Sequence, residues 1–413
     1  MGACASRESG IEERLYTLKR WAFRPIHIEQ AEGYLPATGR CEPRCYLATK
    51  GRGEQSGGPA ALTPRAAGLL FLAAPGSPGG VRAEQRCEGH ANYTGGVVKR
   101  VLLASPRGYC AGVERAVDTV EKLLDLHGPP VYVRKQIVHN AHVVRDLEAR
   151  GAIFVDDERD VPEGHRVVLS AHGVAPSVYE NAKARRLVTT DATCPLVTKV
   201  HVQARRYAAD GYTVLLIGHA GHEEVVGTMG EAPESTILVQ SVEDADSLDL
   251  PADARVAYIT QTTLSVDETG EIITALRRRF PEIHAPKKED ICYATSNRQW
   301  AVKDLLGEVD LLLVIGSRNS SNSNRLVEVA RANGVPAQLI DDETDIDVAW
   351  LDEAETVGLT SGASAPEKLV ERVCDWFRAR GVDDISATRV VDEDVEFRLP
   401  VELRRELALA ESQ

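Results

Sequence analysis

Residues 309–334 read VDLLLVIGSRNSSNSNRLVEVARANG and contain every part of the unit that repeats along this chain. The segment opens with an apolar run of strand type, continues through a loop of Ser, Asn and Gly, and ends in an amphipathic helical pattern that Gly334 terminates. The loop is wedged between a buried strand pattern and a helix, so it is not a free linker. This order of strand, polar loop and helix predicts one layer of an α/β fold.

The same unit recurs between Val98 and Gly381. Five more apolar runs have strand character, namely VKRVLLAS, HRVVLSA, YTVLLIG, ARVAYIT and ETVGLTSG, and amphipathic helix patterns accompany them. This alternation predicts an α/β protein with mostly parallel sheets, in which ligands bind beyond the carboxyl ends of the strands. The loops at those ends are all polar: SPRGYC, SAHG, GHAGHEE, TQTTLS, GSRNSSNSN and TSGASAP.

Length, charge and composition limit the classes of function. The chain has 413 residues, enough for two to four domains, and 43% of them are hydrophobic. A net charge of −14 and an aromatic content of 5% argue against nucleic acid as the main partner. No apolar run reaches the roughly 18 residues of a membrane-spanning helix. We therefore expect a cytoplasmic protein without a membrane partner.

Residues 1–97 differ from the rest of the chain. They contain no Asp, many Gly and Pro, four cysteines, and no sustained strand or helix period. This composition predicts a low-order N-terminal extension. Translation from a start site upstream of a true start near Val97 or Val98 would give the same composition.

Three isolated cysteines stand in polar loops: Cys110 in SPRGYCAG, Cys194 in TDATCPLVTK and Cys292 in EDICYATSNRQ. Zinc knuckles and redox dithiols use close pairs such as C-x-x-C, and these three are far apart. About two strand–loop–helix units accompany each cysteine, which favours three similar domains that each donate one ligand to a shared centre. An iron–sulfur cluster, a Cys₃ zinc site, a single nucleophilic thiol and three buried structural thiols all stay open at this point.

We place the three α/β domains at residues 98–193, 194–285 and 286–382 around one central cleft, with residues 98–111 able to associate with the third domain. A tail at 383–413 follows. Its VEFRL stretch has strand character and a short helix pattern comes next, and we expect the tail to pack on the surface without a chemical role. Cys374, within the apolar helical pattern LVERVCDWF, is predicted to be a buried core thiol.

Three histidines lie in loops that parallel sheets bring together: His139 in VHN, His172 in SAHG and His222 in GHAGHEE. A lone histidine is usually structural, which is one interpretation of His219. Several at strand ends favour contacts to phosphate oxygens or proton transfer. Glu224, two residues after His222, could relay a proton to a leaving hydroxyl. At a helix start it could instead only stabilise the helix dipole.

Hydroxyl and amide side chains fill the remaining loops. They are Thr262, Thr263, Ser320, Ser321, Asn322 and Ser364. Such residues often serve as linkers or helix caps, but hydroxyls and backbone N–H groups at a helix start also make an anion cradle. Several of these donors could hold a diphosphate with few Lys or Arg. No loop carries a G-x-x-x-x-G-K-[ST] or G-x-G-x-x-G phosphate motif, so neither ATP nor NAD is indicated.

From about Val98 to Gly381 the chain closely resembles the 4-hydroxy-3-methylbut-2-enyl diphosphate reductase (LytB/IspH) family of the non-mevalonate isoprenoid pathway. The resemblance rests on long motifs in the family's order: PRGYCAGVERA, VHN, SAHGV, DATCPLVTKVH, IGHAGHEEVVGTMG, TQTTLSVDET, EDICYATSNRQ, GSRNSSNSNRL and TSGASAPEKLV. It implies a trefoil of three similar α/β domains around a central 4Fe–4S cluster. Residues 1–97 and the tail after Gly381 lie outside the match.

The resemblance also implies a role for each candidate residue. Cys110, Cys194 and Cys292 would bind one cluster per chain and leave its fourth iron open to the substrate hydroxyl. The diphosphate would be held by His139, His172, His222, Ser320, Ser321, Asn322 and Ser364. Glu224 would donate the proton, and Thr262 would bind and position the hydroxyl.

The implied reaction is a reductive dehydroxylation of (E)-4-hydroxy-3-methylbut-2-enyl diphosphate to isopentenyl and dimethylallyl diphosphate. Electrons would come from a ferredoxin or flavodoxin type donor, or from an NAD(P)H-linked reductase that feeds it, and the protein would be a monomer or homodimer. Two alternatives stay open. A diphosphate hydrolase or isomerase would turn over without iron or reductant, and an iron–sulfur sensor would bind a cluster without turnover.

Overall fold

The computed structural model describes residues 98–388 and 391–412, so the predicted extension at 1–97 lies outside the described residues. Strands and helices alternate along this part of the chain. The strands are β1 Arg100–Leu103, β2 Val131–Arg134, β3 Ala152–Val155, β4 Arg166–Leu169, β5 Val188–Asp191, β6 Thr213–Ile217, β7 Thr236–Val239, β8 Val256–Thr260, β9 Leu311–Ile315, β10 Ala337–Ile340, β11 Thr356–Ser361 and β12 Asp384–Ala387. The α-helices are α1 Ala111–His127, α2 Ala141–Ala149, α3 Pro176–Ala184, α4 Pro195–Ala209, α5 Glu223–Glu231, α6 Val242–Ser247, α7 Val266–Arg279, α8 Tyr293–Leu305, α9 Ser321–Ala332, α10 Glu367–Arg378 and α11 Val401–Glu411.

The strands form three sheets, and every neighbouring pair of strands is parallel. The first sheet has the order β10-β9-β11-β1-β12, the second β3-β2-β4-β5 and the third β7-β6-β8. Parallel strands need helical crossovers that cover both faces, and strands β8 and β9 are accordingly buried along their whole length. The predicted class, α/β with mostly parallel sheets, is confirmed. The exact domain boundaries stay a prediction.

The first sheet joins the two ends of the described chain. Strand β1 lies between β11 and β12, so that Val101 faces Val357 on one side and Ile385 on the other. Strand β12 is therefore the edge strand on this side of the sheet. The expectation of a strand in VEFRL is wrong, because residues 391–400 contain no regular element. Pairing with the free edge of β1, a long-range contact, decides which part of the tail becomes a strand. The predicted tail helix is α11, whose Leu403 is fully buried.

The chain passes from sheet to sheet at three places. It leaves the first sheet after β1 and enters α1, which packs on the core of the second sheet. It leaves the second sheet after β5 and enters α4, which packs on β6 and β8. It leaves the third sheet after α7 and enters α8, which packs against α9 beside the first sheet. Each of the three passages brings one helix N-terminus towards the middle of the molecule.

None of the helices in the described part of the chain is long and apolar enough to cross a bilayer.

Candidate functional site

A cavity lies where these passages meet. All twelve predicted site residues contribute to its wall: Cys110, His139, His172, Cys194, His222, Glu224, Thr262, Cys292, Ser320, Ser321, Asn322 and Ser364. They come from all three sheets, as expected for loops beyond the carboxyl ends of parallel strands. Among the described residues, no Lys or Arg lines the cavity.

The three cysteines occupy equivalent positions in the fold. Cys110, Cys194 and Cys292 are the N-cap residues of α1, α4 and α8, and none of their side chains caps its own helix. Each backbone N–H donates to the carbonyl of a loop that follows a strand. The acceptors, at 3.3, 3.0 and 3.0 Å respectively, are Ala363, Ala171 and Thr262. The same arrangement, an N-cap cysteine whose N–H donates to a neighbouring loop, thus occurs three times. Each thiol lies at the partial positive charge of a helix N-terminus.

Burial makes thiolates unfavourable in this cavity. Desolvation first, and the neighbouring Cys110 thiol second, raise the pKa of Cys194 to about 12 and that of Cys292 to about 11. The backbone N–H groups of Leu196 and Val197 and the hydroxyl of Thr295 act in the opposite direction. Three anionic sulfurs are therefore stable here only against a cationic group that binds all three.

Gly112 shows that space is kept open between the thiols. A Cβ atom at this position would lie 2.7 Å from the Cys194 sulfur and 3.8 Å from the Cys110 sulfur. Among the described residues, no three His, Cys, Asp or Glu side chains could hold a single metal ion. A cuboidal cluster binds each thiolate through a different iron, so its ligands stand further apart than those of one zinc. The three separated thiols and the space beside Gly112 therefore fit an iron–sulfur cluster better than the Cys₃ zinc alternative.

The three predicted histidines pack together. The rings of His139 and His172 stack with centroids 4.0 Å apart, and the ring of His222 meets both edge-on at 5.6 and 6.0 Å. Desolvation is the main cause that lowers the pKa of His139 and of His222 to about 4, and that of His172 well below its usual range. Desolvation therefore favours the neutral form of all three rings at pH 7.

Hydrogen bonds fix one tautomer in this group. The backbone N–H of Glu224 donates to Nδ1 of His222 at 3.2 Å, so the ring proton of neutral His222 is on Nε2. Nδ1 of His172 is buried and has no partner among the described residues. A buried polar atom without a partner is costly, which indicates that a ligand completes the site.

Glu224, in the first turn of α5, forms two hydrogen bonds with Thr262, in the loop after β8. The Thr262 backbone N–H donates to Oε1 of Glu224 at 2.7 Å, and the Thr262 hydroxyl donates to Oε2 at 2.9 Å. Burial raises the pKa of Glu224 to about 7 in spite of these two hydrogen bonds. Near neutral pH the carboxyl group can therefore hold or release a proton.

Hydroxyl groups surround the N-terminus of α9. Ser320 is the N-cap residue, and its Oγ accepts from the backbone N–H of Ser323 at 3.3 Å. Ser364 donates from its hydroxyl to the His139 carbonyl at 2.9 Å, which joins this group to the histidines. Asn322 accepts from the backbone N–H of Ala363 at 2.8 Å. The first turn of α9 faces the cavity with N–H groups and hydroxyls, the arrangement that binds anions.

The sequence analysis did not single out two further residues of the site, Thr295, which lines the cavity, and Gln261, which hydrogen-bonds two residues of its wall. Thr295 contacts the Cys292 sulfur through its hydroxyl at 3.1 Å and accepts from the Asn322 amide at 3.3 Å. Gln261 is fully buried and donates to the hydroxyls of Thr263 and Ser321 at 2.8 and 3.2 Å. Both stand inside quoted motifs. Thr295 lies one helical turn after a candidate ligand, and that spacing is the signal that could have identified it.

Comparison with known proteins places the site in context. The family model described as LytB protein matches residues 101–378. The 4-hydroxy-3-methylbut-2-enyl diphosphate reductase of Acidothermus cellulolyticus is 63% identical over 310 residues, which is 75% of this chain and 91% of that protein. The protein of the same name from Streptomyces coelicolor is 56% identical, with 75% and 92% covered. A solved structure of the E-1-hydroxy-2-methyl-but-2-enyl-4-diphosphate reductase from Plasmodium falciparum has a TM-score of 0.74 and 40% identity, with 76% of this chain and 99% of that chain covered.

Proposed function

Because the chain belongs to the LytB family, together with proteins named 4-hydroxy-3-methylbut-2-enyl diphosphate reductase, we propose that it catalyses the reductive dehydroxylation of that allylic diphosphate. The reaction adds two electrons and two protons. The carbon–oxygen bond to the hydroxyl breaks, the oxygen leaves as water, one proton joins carbon, and isopentenyl or dimethylallyl diphosphate remains. The single observation that carries the proposal is the convergence of three thiols, three neutral histidines and a buried carboxyl in one cavity.

Cys110, Cys194 and Cys292 are the residues that would hold a 4Fe–4S cluster. When bound, such a cluster supplies single electrons and an open Lewis-acidic iron, which side chains do not provide. The helix N-termini behind the three sulfurs stabilise negative charge on them. Thr295 adds a hydrogen bond to the Cys292 sulfur.

The diphosphate is placed between the histidines and the first turn of α9. His222 would donate from Nε2. The hydroxyls of Ser320, Ser321 and Ser364 and the amide of Asn322 would supply neutral donors, after Ser321 and Ser364 turn from the carbonyls to which they now donate towards the anion. A bound anion next to His139, His172 and His222 favours their charged forms, so the substrate brings protons with it into the site. This explains how a cavity without Lys or Arg binds a multiply charged group.

Glu224 is the proton donor in this proposal. Its carboxyl group is buried, and its pKa near 7 keeps a large protonated fraction at neutral pH. Thr262 binds both carboxyl oxygens and holds the group in one orientation, and its hydroxyl also meets the substrate hydroxyl. The proton therefore travels from Glu224, directly or through Thr262, to the leaving oxygen.

We propose that the electrons come from a separate protein of ferredoxin or flavodoxin type, or from an NAD(P)H-linked reductase that feeds it, as membership of the family implies. A monomer or homodimer and a cytoplasmic location stay predictions.

The test is anaerobic purification followed by iron and acid-labile sulfide analysis, with absorption and EPR spectra before and after addition of the hydroxymethylbutenyl diphosphate. We expect a brown protein with about four irons per chain and a spectrum that the substrate perturbs. A colourless protein that hydrolyses or isomerises the diphosphate without reductant would favour the non-redox alternative. A cluster without turnover under reducing conditions would favour a sensor.

Gly112→Ala is expected to reduce the iron content several-fold, because the added Cβ would lie 2.7 Å from the Cys194 sulfur. The matched control is Gly270→Ala, also within a helix, where an added Cβ meets nothing within 4 Å. Iron per chain after identical reconstitution is the measurement. Equal iron in both variants would show that the space beside Gly112 is not needed for the cluster.

Binding of inorganic diphosphate is expected to take up protons at pH 7. Burial lowers the pKa values of His139 and His222 to about 4, and an adjacent anion would raise them, so affinity for diphosphate should increase as pH falls towards 6. Titration calorimetry in buffers of different ionisation enthalpy measures the uptake. His222→Asn should lower it by up to one proton, whereas His219→Asn, outside the cavity wall, should not. An unchanged uptake in His222→Asn would contradict this assignment.

A further inference from the structure

The largest fully buried side chain in the described residues is a charged one. Arg298, on α8, has no solvent exposure, and the carboxylate that meets it comes from the C-terminal tail. Its Nη1 donates to both carboxylate oxygens of Glu393 at 3.1 and 3.2 Å. The Asn297 amide donates to the same carboxylate at 2.9 Å. A buried arginine needs a partner of opposite charge. The match to the family model ends at residue 378, so the carboxylate that neutralises Arg298 comes from a part of the chain beyond that match.

Arg298 also holds the chain in front of a candidate ligand. Its Nη2 donates to the Gly108 carbonyl at 2.8 Å and reaches the carbonyls of Arg107 and Tyr109 at 3.5 Å. These three residues directly precede Cys110. Gly108 has a φ of +73°, a conformation that favours glycine, and its backbone N–H donates to the Ser361 hydroxyl at 2.8 Å. The orientation of the Cys110 thiol therefore depends on the guanidinium group that Glu393 neutralises.

A second anchor connects the tail with another candidate ligand. Arg115, on α1, donates from Nε to the Arg398 carbonyl at 2.8 Å and from Nη1 to the Thr193 carbonyl at 3.0 Å. Thr193 directly precedes Cys194. Helix α11 holds this end of the tail in place, since Leu403 is buried in the core of the second sheet.

We propose that residues 391–400, named here the strap, position two of the three thiols through two arginines, with Glu393 acting through Arg298 on Cys110 and the Arg398 carbonyl acting through Arg115 on Cys194. This proposal differs from the expectation that the tail has no chemical role. Glu393 is a positioning residue, since it contacts neither substrate nor thiol. The role of the two thiols as ligands rests on the proposed function, but the order of the segments before them does not.

The test is hydrogen–deuterium exchange of full-length protein, iron-loaded and iron-free, comparing Glu393→Ala with Glu396→Ala. Glu396 belongs to the same strap but is exposed, so its loss is the matched control. In Glu393→Ala we expect hydrogen exchange at residues 108–111 to be about tenfold faster. The substitution leaves Arg298, which holds this segment, as a buried unpaired charge. Loss of iron to a chelator is expected to accelerate by a similar factor, with no change in Glu396→Ala.

A double variant separates positioning from simple stability. Arg298→Met with Glu393→Ala removes both charges of the pair and leaves neither unpaired, so we expect its melting temperature to return towards that of the wild type while exchange at 108–111 stays fast. Restoration of both would show that the pair has only a stabilising role and would overturn the proposal. So would unchanged exchange in Glu393→Ala, or an equal acceleration in all three sheets. The iron-free measurement remains decisive even if no iron–sulfur centre forms.

Discussion

Changing any one of Cys110, Cys194 or Cys292 to Ala is expected to abolish the iron–sulfur absorption and to lower turnover by more than about 100-fold. Loss of a residue that only hydrogen-bonds a metal ligand costs up to about 100-fold in activity, and loss of the ligand itself should cost more. The three sulfurs have equivalent positions at helix N-termini around one cradle, so no other described cysteine can replace a missing one. The fourth free cysteine in the described residues, Cys374, is buried in the core of the first sheet.

Cys374→Ala is the matched control for these variants. It removes a thiol of the same kind at a site remote from the cavity, and we expect a loss of roughly 1 kcal/mol in the free energy of unfolding with unchanged iron content. Iron, sulfide and EPR signals are measured on each variant after the same anaerobic reconstitution. Full iron content and turnover in any of the three site variants would remove that residue from the ligand set.

Much of this site was predictable because its signals are local. A polar loop that follows a buried strand pattern marks a position beyond the carboxyl end of a parallel strand, and six such loops identified His172, His222, Thr262, Ser320 and Ser364 as neighbours in space. The α/β class followed from the same alternation. The assignment of roles came from the resemblance of the motifs to a known family, since three isolated thiols alone left several chemistries open.

The parts that sequence did not predict depend on long-range contacts. Strand β12 forms because β1 leaves an edge free, and nothing in the sequence of residues 384–387 is more strand-like than VEFRL. The pairing of Arg298 with Glu393 joins residues 95 positions apart and has no periodicity to reveal it. Gly112 reads as an ordinary helical glycine until the Cys194 sulfur is placed beside it. Each of these features needs the tertiary structure to be recognised.

Glu224→Gln is expected to leave the iron content unchanged and to slow dehydroxylation by about 10²–10⁴-fold, the usual contribution of a positioned acid. The substitution keeps the local geometry. The amide oxygen can accept from the Thr262 backbone N–H, and the Thr262 hydroxyl can turn to accept from the new amide group. Single-turnover kinetics with a chemically reduced enzyme separate this step from electron delivery. Glu223→Gln, at the preceding position, is the control and should retain turnover.

The pH dependence of the same pair of proteins tests the cause of the effect. Burial raises the Glu224 pKa from its usual value of 4.5 to about 7, so the protonated fraction in the wild type falls as pH rises through 7. A bound diphosphate shifts this fall to higher pH. Wild-type turnover should decline as pH rises through this range, and the residual turnover of Glu224→Gln should not.

The raised pKa of Glu224 also affects the stability of the protein. A carboxyl with a raised pKa contributes stability below pH 4.5 that is lost as pH rises through 7. Glu224→Gln should therefore melt higher than the wild type at pH 8 and not at pH 5. A wild-type pH profile that the variant reproduces would assign the proton to another group.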